Sequence, residues 1–325
     1  MRRHRTPAGI LLTVATLLAG ALSATSAGAA PAPSPAPTVF KQQQTQGFWT
    51  AERMRSATPL DLLPLTRDGL KALGTAERGG KETVISPTAL PPTAVSPMAF
   101  PQAGGPWTGG GAVVKTSGRV FFSFQGRTAS CSGNSVTSQN GSTVITAGHC
   151  VKYQGSWHTN WVFVPAYDNG QAPYGQWSAT KTFATDQWVA SEDINYDVGA
   201  AVVAPLGGKK LAETVGAQGL SFNGGYNKAM YAFGFPAASP YDGTKLIYCS
   251  GNSSRDFLFS KDHSLGCNMT GGSSGGPWFT SFSEATGTGL QSSVNSFGYV
   301  FLPNRMFGPY FGNEAKAVYD KAQIS

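Results

Sequence analysis

Short apolar segments separated by turn-forming residues are the feature of this sequence that most restricts its fold. Between residues 112 and 325 the segments are rich in Val, Phe, Tyr and Trp, and Gly, Pro, Asn and Ser fill the gaps. This pattern is typical of β-sandwiches and β-barrels. Forty-one glycines and a charged fraction of 13% also favour a turn-rich β protein over a helical one. The predicted strands are 119–124, 142–146, 161–165, 198–204, 230–235, 245–248, 278–282 and 294–300.

A helical pattern is found at the C-terminal end. Ala315, Val318, Tyr319 and Ala322 follow the i, i+3, i+4, i+7 spacing of an amphipathic helix. Residues 313–323 are therefore predicted to form a helix that docks one face on the β domain.

The first 29 residues have the pattern of a secretory signal peptide. A basic stretch at residues 1–5 precedes a short apolar run at 10–22, and Ala-Gly-Ala at 27–29 offers a cleavage site. The apolar run is shorter than the ~20 residues that a spanning helix needs, and no later stretch is long and apolar enough. We therefore expect a secreted, extracellular protein without a membrane anchor.

Residues 30–105 are predicted to be a Pro-rich propeptide or linker. They hold eleven of the 21 prolines and no cysteine, and the alternating prolines at 31–37 predict an extended spacer. Residues 49–65 are predicted to be locally helical. We prefer a propeptide, removed or covering the active surface, because the segment lies between a signal peptide and a compact domain. That domain is predicted to span residues 106–325.

The distribution of charge argues against a nucleic-acid partner. The net charge is +7, but residues 1–105 carry ten Lys and Arg against five Asp and Glu. The remaining residues carry fourteen against twelve and are nearly neutral. A basic functional face is therefore not predicted in the globular part.

The four cysteines all fall in the predicted domain, at Cys131, Cys150, Cys249 and Cys267. An even number in a secreted chain predicts disulfides, and four cysteines allow three connectivities. Nearest-neighbour pairing would close two short loops, each contributing roughly 3 kcal/mol in the loop-entropy account. A metal site is the alternative, but no C-x-x-C pair or nearby histidine cluster favours it. We predict no metal and no cofactor.

Three separate stretches carry residues suited to nucleophilic catalysis. Ser274 lies within Gly-Gly-Ser-Ser-Gly-Gly-Pro at 271–277, where glycines let backbone N–H groups approach a reacting carbonyl. His149 follows the predicted strand 142–146 beside Cys150. Asp197 stands at the start of an apolar strand, and a carboxylate that enters a core needs a partner. Together they predict an imidazole between an acid and a hydroxyl.

These motifs resemble those of the chymotrypsin/trypsin-like serine peptidases. Thr-Ala-Gly-His-Cys at 146–150, Tyr-Asp-Val-Gly-Ala at 196–200 and Gly-Ser-Ser-Gly-Gly-Pro at 272–277 come in the order His, Asp, Ser. The resemblance covers about residues 112–325 and is closest to the secreted bacterial branch that includes glutamyl endopeptidases. It implies an all-β fold of two antiparallel β-barrels with a C-terminal helix, and an active site between the barrels. It also implies a disulfide between Cys131 and Cys150.

The resemblance implies a serine endopeptidase that acts on a peptide or protein substrate through an acyl-enzyme. Ser274 would be the nucleophile, His149 the general base and Asp197 the residue that orients the imidazole. The N–H groups of Gly272 and Ser274 would form the oxyanion hole. We expect a monomer.

The sequence departs from the family at the positions that set activation and specificity. Ser273 precedes the nucleophile where trypsin-type enzymes carry an aspartate, and residues 90–115 contain no Ile-Val-Gly-Gly-like start. Asn268 stands where trypsin-like pockets hold an aspartate. Met269 replaces the pocket Ser or Thr of glutamyl endopeptidases, and Asn295 replaces their histidine. Neither a basic nor an acidic P1 preference is therefore predicted.

The predicted substrate contacts and the alternatives complete the interpretation. Asn268, Met269 and Asn295 are predicted to line the pocket, and residues 296–298 (Ser296, Phe297 and Gly298) to pair with the substrate backbone. Two other functions remain open, a catalytically silent relative that binds a partner and an esterase that uses the same triad.

Two further assignments concern residues outside the proposed triad. Asp193 is the main rival for the acid, because it lies four residues before Asp197. His158 and His263 have polar neighbours in the sequence and are predicted to be exposed loop residues.

Overall fold

A computed structural model describes residues 1, 37–42, 47–66, 79–88 and 98–325 of the chain. Apart from Met1, the predicted signal peptide lies outside the described residues, as does most of the Pro-rich run at 31–37. The described residues from 37 to 325 belong to one compact unit. Within the described ranges, no helix combines the length and the apolar character that a bilayer crossing requires.

Strands dominate the described residues, and the helices are short except for the last. The strands are β1 Thr38–Lys41, β2 Thr58–Pro59, β3 Leu63–Leu65, β4 Thr83–Ile85, β5 Gln102–Pro106, β6 Ser117–Phe124, β7 Arg127–Val136, β8 Thr143–Thr146, β9 Lys152–Tyr153, β10 Ser156–Trp157, β11 Thr159–Pro165, β12 Trp177–Ala184, β13 Gly199–Val203, β14 Gly219–Phe222, β15 Ala229–Gly234, β16 Ile247–Asn252, β17 Ser254–Arg255, β18 His263–Gly266, β19 Pro277–Ser283, β20 Thr288–Val294, β21 Phe297–Tyr299 and β22 Arg305–Gly308. The α-helices are α1 Ala51–Ser56, α2 Val113–Thr116, α3 Asp186–Ser191, α4 Leu211–Val215 and α5 Asn313–Gln323, and Gly148–Cys150 and Ile194–Tyr196 are 3-10 helices.

Six strands of the first half close into a barrel in the order β12-β11-β6-β7-β8-β13, with β13 pairing back to β12. Its interior is filled by fully buried apolar side chains, among them Val120, Phe122 and Val144. β8 and β13 are antiparallel, with Thr146 opposite Gly199. This register brings the residues that follow β8 and those that precede β13 to the same end of the barrel.

The second half is built from two sheets, ordered β4-β14-β20-β19-β15-β16-β5 and β17-β18-β22-β21-β3. An apolar cluster that includes Met230, Leu265 and Trp278 draws residues from both sheets. The Cys249–Cys267 disulfide joins β16 to the residue after β18. In this half, Pro277 pairs with Val294, so the chain before β19 lies beside the chain after β20.

The architecture confirms the predicted chymotrypsin-type all-β fold with a C-terminal helix. Helix α5 buries the four predicted residues, Ala315, Val318, Tyr319 and Ala322. The prediction of purely antiparallel pairing is too narrow, because β2–β7, β3–β21 and β14–β20 are parallel. Two of these parallel pairs involve residues before position 66.

The described residues before position 107 contribute strands to both halves. The predicted local helix at 49–65 is limited to α1, and β2 and β3 follow it. β1 pairs with β12 of the barrel, β4 with β14, and β5 with β16. The predicted domain boundary between residues 105 and 106 therefore falls inside β5, and the domain division stays a prediction.

Candidate active site

His149 and Asp197 meet at the end of the barrel to which the β8–β13 register directs them. His149 lies in the 3-10 helix Gly148–Cys150, and its Nδ1–H donates to Asp197 Oδ2 at 2.7 Å. The backbone N–H of His149 donates to Asp197 Oδ1 at 2.7 Å. Both residues are fully buried. The carboxylate therefore fixes the imidazole by two bonds, one to its ring and one to its backbone, and leaves Nε2 as the proton-accepting nitrogen.

Ser296 provides a third donor to the same carboxylate. Its Oγ–H donates to Asp197 Oδ2 at 2.5 Å, across from the second half of the molecule. These three donors satisfy the hydrogen-bonding capacity that a buried carboxylate needs. Ser296 was predicted only as part of the edge that pairs with substrate backbone, and the structure adds this contact.

Ser274 lies in a tight turn that only glycine permits on both sides. Gly272 has φ of +90° and Gly275 has φ of +79°, both in the region that favours glycine. A Cβ on Gly275 would lie 2.1 Å from Thr146 Oγ1, so the turn fits closely against the end of β8. This contact places the serine turn beside the segment that carries His149.

Ser132 on β7 connects the serine turn to the histidine segment. Its N–H donates to Ser274 O at 2.7 Å, and its Oγ–H donates to Gly272 O at 2.9 Å. Its carbonyl oxygen accepts from Thr146 Oγ1 at 2.8 Å. The sequence analysis did not identify Ser132, because nothing in the stretch Ser-Cys-Ser at 130–132 distinguishes it from other serines.

The predicted nucleophile and the predicted base do not bond to each other in this structure. Ser274 Oγ donates to Asp61 O at 3.4 Å, and Gly272 N–H donates to Leu60 O at 2.8 Å. Among the described residues, the buried His149 Nε2 has no hydrogen-bond partner. Residues 60 and 61 therefore engage both the predicted nucleophile and one predicted oxyanion-hole donor.

A cavity of about 340 Å³ opens beside the serine turn, and Asn268, Met269 and Gly298 are among its lining residues. Asn268 Oδ1 accepts from Tyr241 Oη at 2.6 Å, and its N–H donates to Ala103 O at 2.8 Å. The side-chain oxygen and the backbone N–H of Asn268 are thus already hydrogen-bonded. The rest of the cavity wall is largely apolar.

The predicted substrate contact of Asn295 needs correction. Its side chain is fully buried, and its Nδ2 donates to Phe233 O and Ser273 O, each at 2.8 Å. Its Oδ1 accepts from Trp278 Nε1 at 2.6 Å. All of these partners are internal, so Asn295 supports the serine turn instead of contacting a substrate. The replacement of the glutamyl endopeptidases' histidine by Asn295 did not by itself show where the Asn295 side chain points.

Residues 296–298, which were predicted to pair with the substrate backbone, form a backbone edge, and the Phe297 side chain faces inward. Its ring stacks on Phe307 with centroids 5.1 Å apart, and it is fully buried. Ser296 O accepts from Leu63 N at 3.1 Å, and Gly298 lies opposite Pro64. The backbone edge at residues 296–298 is therefore already paired with residues 63 and 64 of this chain.

Asp193 has a structural task that separates it from Asp197. Its Oδ1 accepts from Asn195 N at 3.0 Å and from Asn195 Nδ2 at 2.8 Å, which caps the 3-10 helix Ile194–Tyr196. Capping by a side-chain oxygen is the usual role of aspartate at such a position.

The prediction that His158 and His263 are exposed is wrong. His158 stacks on Phe122 with centroids 4.2 Å apart, and its Nε2–H donates to His149 O at 2.8 Å. Burial lowers the pKa of His158 to about 3, so the ring is neutral. His263 lies buried in β18 against Tyr226 and Tyr310. Polar sequence neighbours gave no sign of this burial, because Asp262 and Ser264, which flank His263, are themselves buried.

The cysteines form the Cys131–Cys150 and Cys249–Cys267 disulfides. The first ties β7 to the 3-10 helix that carries His149. Sulfur and nitrogen atoms of Cys131, His149 and Cys150 lie within 4.8 Å of one another, a spacing compatible with a metal ion. The two sulfurs are bonded to each other and offer no thiolate, so this group does not fit a metal site.

Solved serine proteases share this fold and much of the sequence. Protease Anisep from Arthrobacter nicotinovorans is 45% identical with a TM-score of 0.62, and the match covers 66% of this chain and 98% of that one. The thermostable serine protease AL20 from an extremophilic microorganism is 41% identical with a TM-score of 0.62, over 66% of this chain and 99% of that one. A Glu endopeptidase with 14% identity and a TM-score of 0.55, over 72% of this chain and all of its own, shares the fold.

A curated relative matches a smaller region. The Extracellular metalloprotease of Bacillus subtilis (strain 168) is 40% identical over 62 residues, which are 19% of this chain and 20% of that protein. The match therefore spans a fifth of that protein's length. No family model matches the chain.

Proposed function

Because the chain belongs to the chymotrypsin-like serine proteases, we propose that it is a secreted serine endopeptidase that uses His149, Asp197 and Ser274. The observation that carries the proposal is the 2.7 Å bond from His149 Nδ1 to Asp197 Oδ2 in a buried site beside the Ser274 turn. This pair leaves Nε2 available as a base, and the glycine-flanked turn of Ser274 packs against the segment that carries it. The arrangement is the one that activates a serine for acyl transfer.

The proposed reaction proceeds in two halves. Ser274 Oγ attacks the peptide carbonyl carbon while its proton passes to His149 Nε2, and the N–H groups of Gly272 and Ser274 bind the oxyanion. The imidazolium then protonates the leaving amine, and the acyl group stays on Ser274. Water, deprotonated by the same imidazole, releases the acid and restores the serine. Asp197 stays ionised throughout and stabilises the imidazolium.

Secretion and a removable pro-segment belong to the same proposal. Two disulfides fit an oxidising compartment, and the signal-like residues 1–29 agree with export. Residues 30–105 are the proposed propeptide. The mature protease is proposed to begin within or before β5, because the pairing of that strand with β16 contributes to the second half.

A fluorophosphonate probe tests the proposal on the secreted, processed protein. We expect labelling that mass spectrometry maps to Ser274, loss of label in Ser274→Ala, and cleavage of peptides inside their sequences. Activity that persists in a chelator would agree with a serine mechanism. Label without peptide cleavage would favour an esterase, and absence of label from the processed protein would contradict an enzyme and favour a binding relative.

A further inference from the structure

Residues 58–65, called the strap here, cross the active site from one half of the molecule to the other. The strap begins as β2, which pairs with Ala129 and Ser130 of β7 in the barrel. Leu60 N–H then donates to Ser130 O at 2.9 Å. The strap ends as β3, which pairs in parallel with β21, from Leu63 opposite Phe297 onward. Both rims of the cleft therefore hold the strap by backbone hydrogen bonds.

The strap contacts the catalytic groups in a way that does not permit its own cleavage. Acyl transfer requires one carbonyl to place its oxygen in the oxyanion hole and its carbon at the serine oxygen. Here the Gly272 N–H holds the oxygen of Leu60, whereas Ser274 Oγ donates to the oxygen of the next residue, Asp61. The two groups thus engage different peptide units. Ser274 Oγ also makes no hydrogen bond to His149 Nε2, which has no partner among the described residues.

Burial indicates that the strap excludes other peptides. Ser274 and His149 have relative exposures of 0%. The edge at residues 296–298 is occupied by the strap through the bond from Leu63 N to Ser296 O. A substrate therefore cannot reach the nucleophile or this edge while the strap is in place.

Leu62 of the strap forms part of the wall of the cavity beside the serine turn. It lines that cavity and packs against the apolar cluster that contains Met269, Met306 and Cys267. Arg305 is a charged lining residue, and its guanidinium donates to Ser264 Oγ at 2.6 Å and Ser254 Oγ at 3.0 Å on neighbouring strands. The cavity therefore has walls suited to an aliphatic side chain, and the strap supplies one.

We propose that the strap is the peptidase's own inhibitor, bound across the cleft as a peptide that cannot be cleaved, with Leu62 in an apolar P1 pocket walled by Met269 and Met306. This inference rests on the proposed peptidase function and deepens it. It assigns the regulation of the site to residues 58–65 and the substrate class to peptides with an aliphatic residue before the cleaved bond. Activation then requires displacement or cleavage of the strap.

Probe kinetics on the unprocessed chain test the inhibitory contact. The labelling rate of Ser274 is measured in the full-length chain for wild type, Leu62→Asp and Val84→Asp. The last variant is the matched control, because Val84 lies in β4 before the predicted domain and its side chain is 52% exposed. We expect Leu62→Asp to be labelled at least about tenfold faster than wild type, because a carboxylate is poorly tolerated against apolar walls. The control should match wild type.

The outcomes separate this inference from the function on which it rests. If the processed protein is labelled but intact wild type and Leu62→Asp react at the same rate, the strap is not an inhibitor. If no form is labelled, the peptidase proposal fails, and this inference with it. Should Leu62→Asp not be secreted, Leu62→Ala replaces it, with a smaller acceleration expected and thermal unfolding measured alongside.

Cleavage of a P1-diverse peptide library by the processed wild-type protein tests the pocket. We expect cleavage after Leu and Met, and a lower preference for both in Met269→Asp relative to other residues. A synthetic peptide of residues 57–66 should inhibit competitively and stay intact for the duration of the assay. Preferred cleavage after Glu, Asp, Arg or Lys, or hydrolysis of the strap peptide, would overturn the pocket assignment.

Discussion

Among single residues, the two neighbouring aspartates give the sharpest test of the site. Asp197 accepts from His149 twice and from Ser296 once, whereas Asp193 accepts only from Asn195 in the contacts described above. Asparagine can replace aspartate as a helix cap at little cost. It cannot replace a carboxylate that must accept a ring N–H and stabilise an imidazolium.

We therefore predict opposite outcomes for the same chemical change at these two positions. Asp197→Asn should lower kcat by a factor on the order of 10⁴, because the amide favours the wrong imidazole tautomer. Asp193→Asn should retain most of the activity. Steady-state peptide hydrolysis by the two processed variants is the measurement. Equal losses in both would contradict the assignment of the acid.

Asn295 should matter for stability and for placement of the nucleophile. Asn295→Asp is isosteric but removes the two hydrogens that bind Phe233 O and Ser273 O inside the core. We expect a loss of unfolding free energy on the order of 3 kcal/mol, together with a lower kcat. Denaturant unfolding measures the first effect. The same change at the exposed Asn227 is the control and should leave the unfolding free energy unchanged. An unchanged unfolding free energy in Asn295→Asp would contradict the supporting role of Asn295.

His158 should make the protein less stable in acid. Its pKa is 6.5 in an unfolded chain and about 3 in the fold, where burial disfavours the charged ring. The unfolded chain binds the extra proton between these values, so the free energy of unfolding falls as pH drops from 6.5 toward 3. His158→Gln keeps a donor for His149 O without titrating. Its unfolding free energy should fall less steeply over this range, and an unchanged slope would contradict the account.

Sequence patterns singled out the candidate triad residues but not the residues that support them. The three motifs stand out because glycine, histidine and a lone carboxylate occur in unusual surroundings. Asn295 and Ser132 act through backbone carbonyls and N–H groups that are distant in the chain. No local sequence pattern predicts such contacts, because small polar residues that make them look the same in the sequence as small polar residues that do not.

For whole elements, apolar runs predicted several strands, and β7 shows how a polar run can conceal one. The predicted strand 161–165 lies within β11, and residues 313–323 form α5 as predicted. β7 was missed because its sequence is rich in serine and asparagine. These side chains bond to Arg119, Gly272 and Gln291, so β7 carries a polar network where an apolar run was expected.

The two disulfides hold different parts of the site, and their removal should separate kcat from KM. Each closes a loop of similar length, with sequence separations of 19 and 18, so each removal should cost roughly 3 kcal/mol of stability. Replacing Cys131 and Cys150 by serine should mainly lower kcat, because His149 loses its anchor. Replacing Cys249 and Cys267 should mainly raise KM, since Cys267 adjoins Asn268. Identical kinetic profiles for the two double variants would contradict this division.

Considered as a whole molecule, the chain uses its N-terminal part as a structural component of both halves. Trp49 and Met54 are buried against Phe121 and Val162 of the barrel, and β3 extends the sheet beside the serine turn. Composition predicted this region as a propeptide or linker, because prolines are frequent and cysteines absent. It could not predict the docking, which depends on backbone pairing with strands more than 60 residues away.

Location of an acyl group during turnover tests the central claim most directly. The processed protein is mixed with an activated peptide ester, quenched in acid within the first turnover, digested and mapped by mass spectrometry. The account predicts up to one acyl group per chain, on the peptide that contains Ser274, and none in Ser274→Ala. Turnover by wild type with no acyl group on Ser274, or turnover of the same rate in Ser274→Ala, would contradict it.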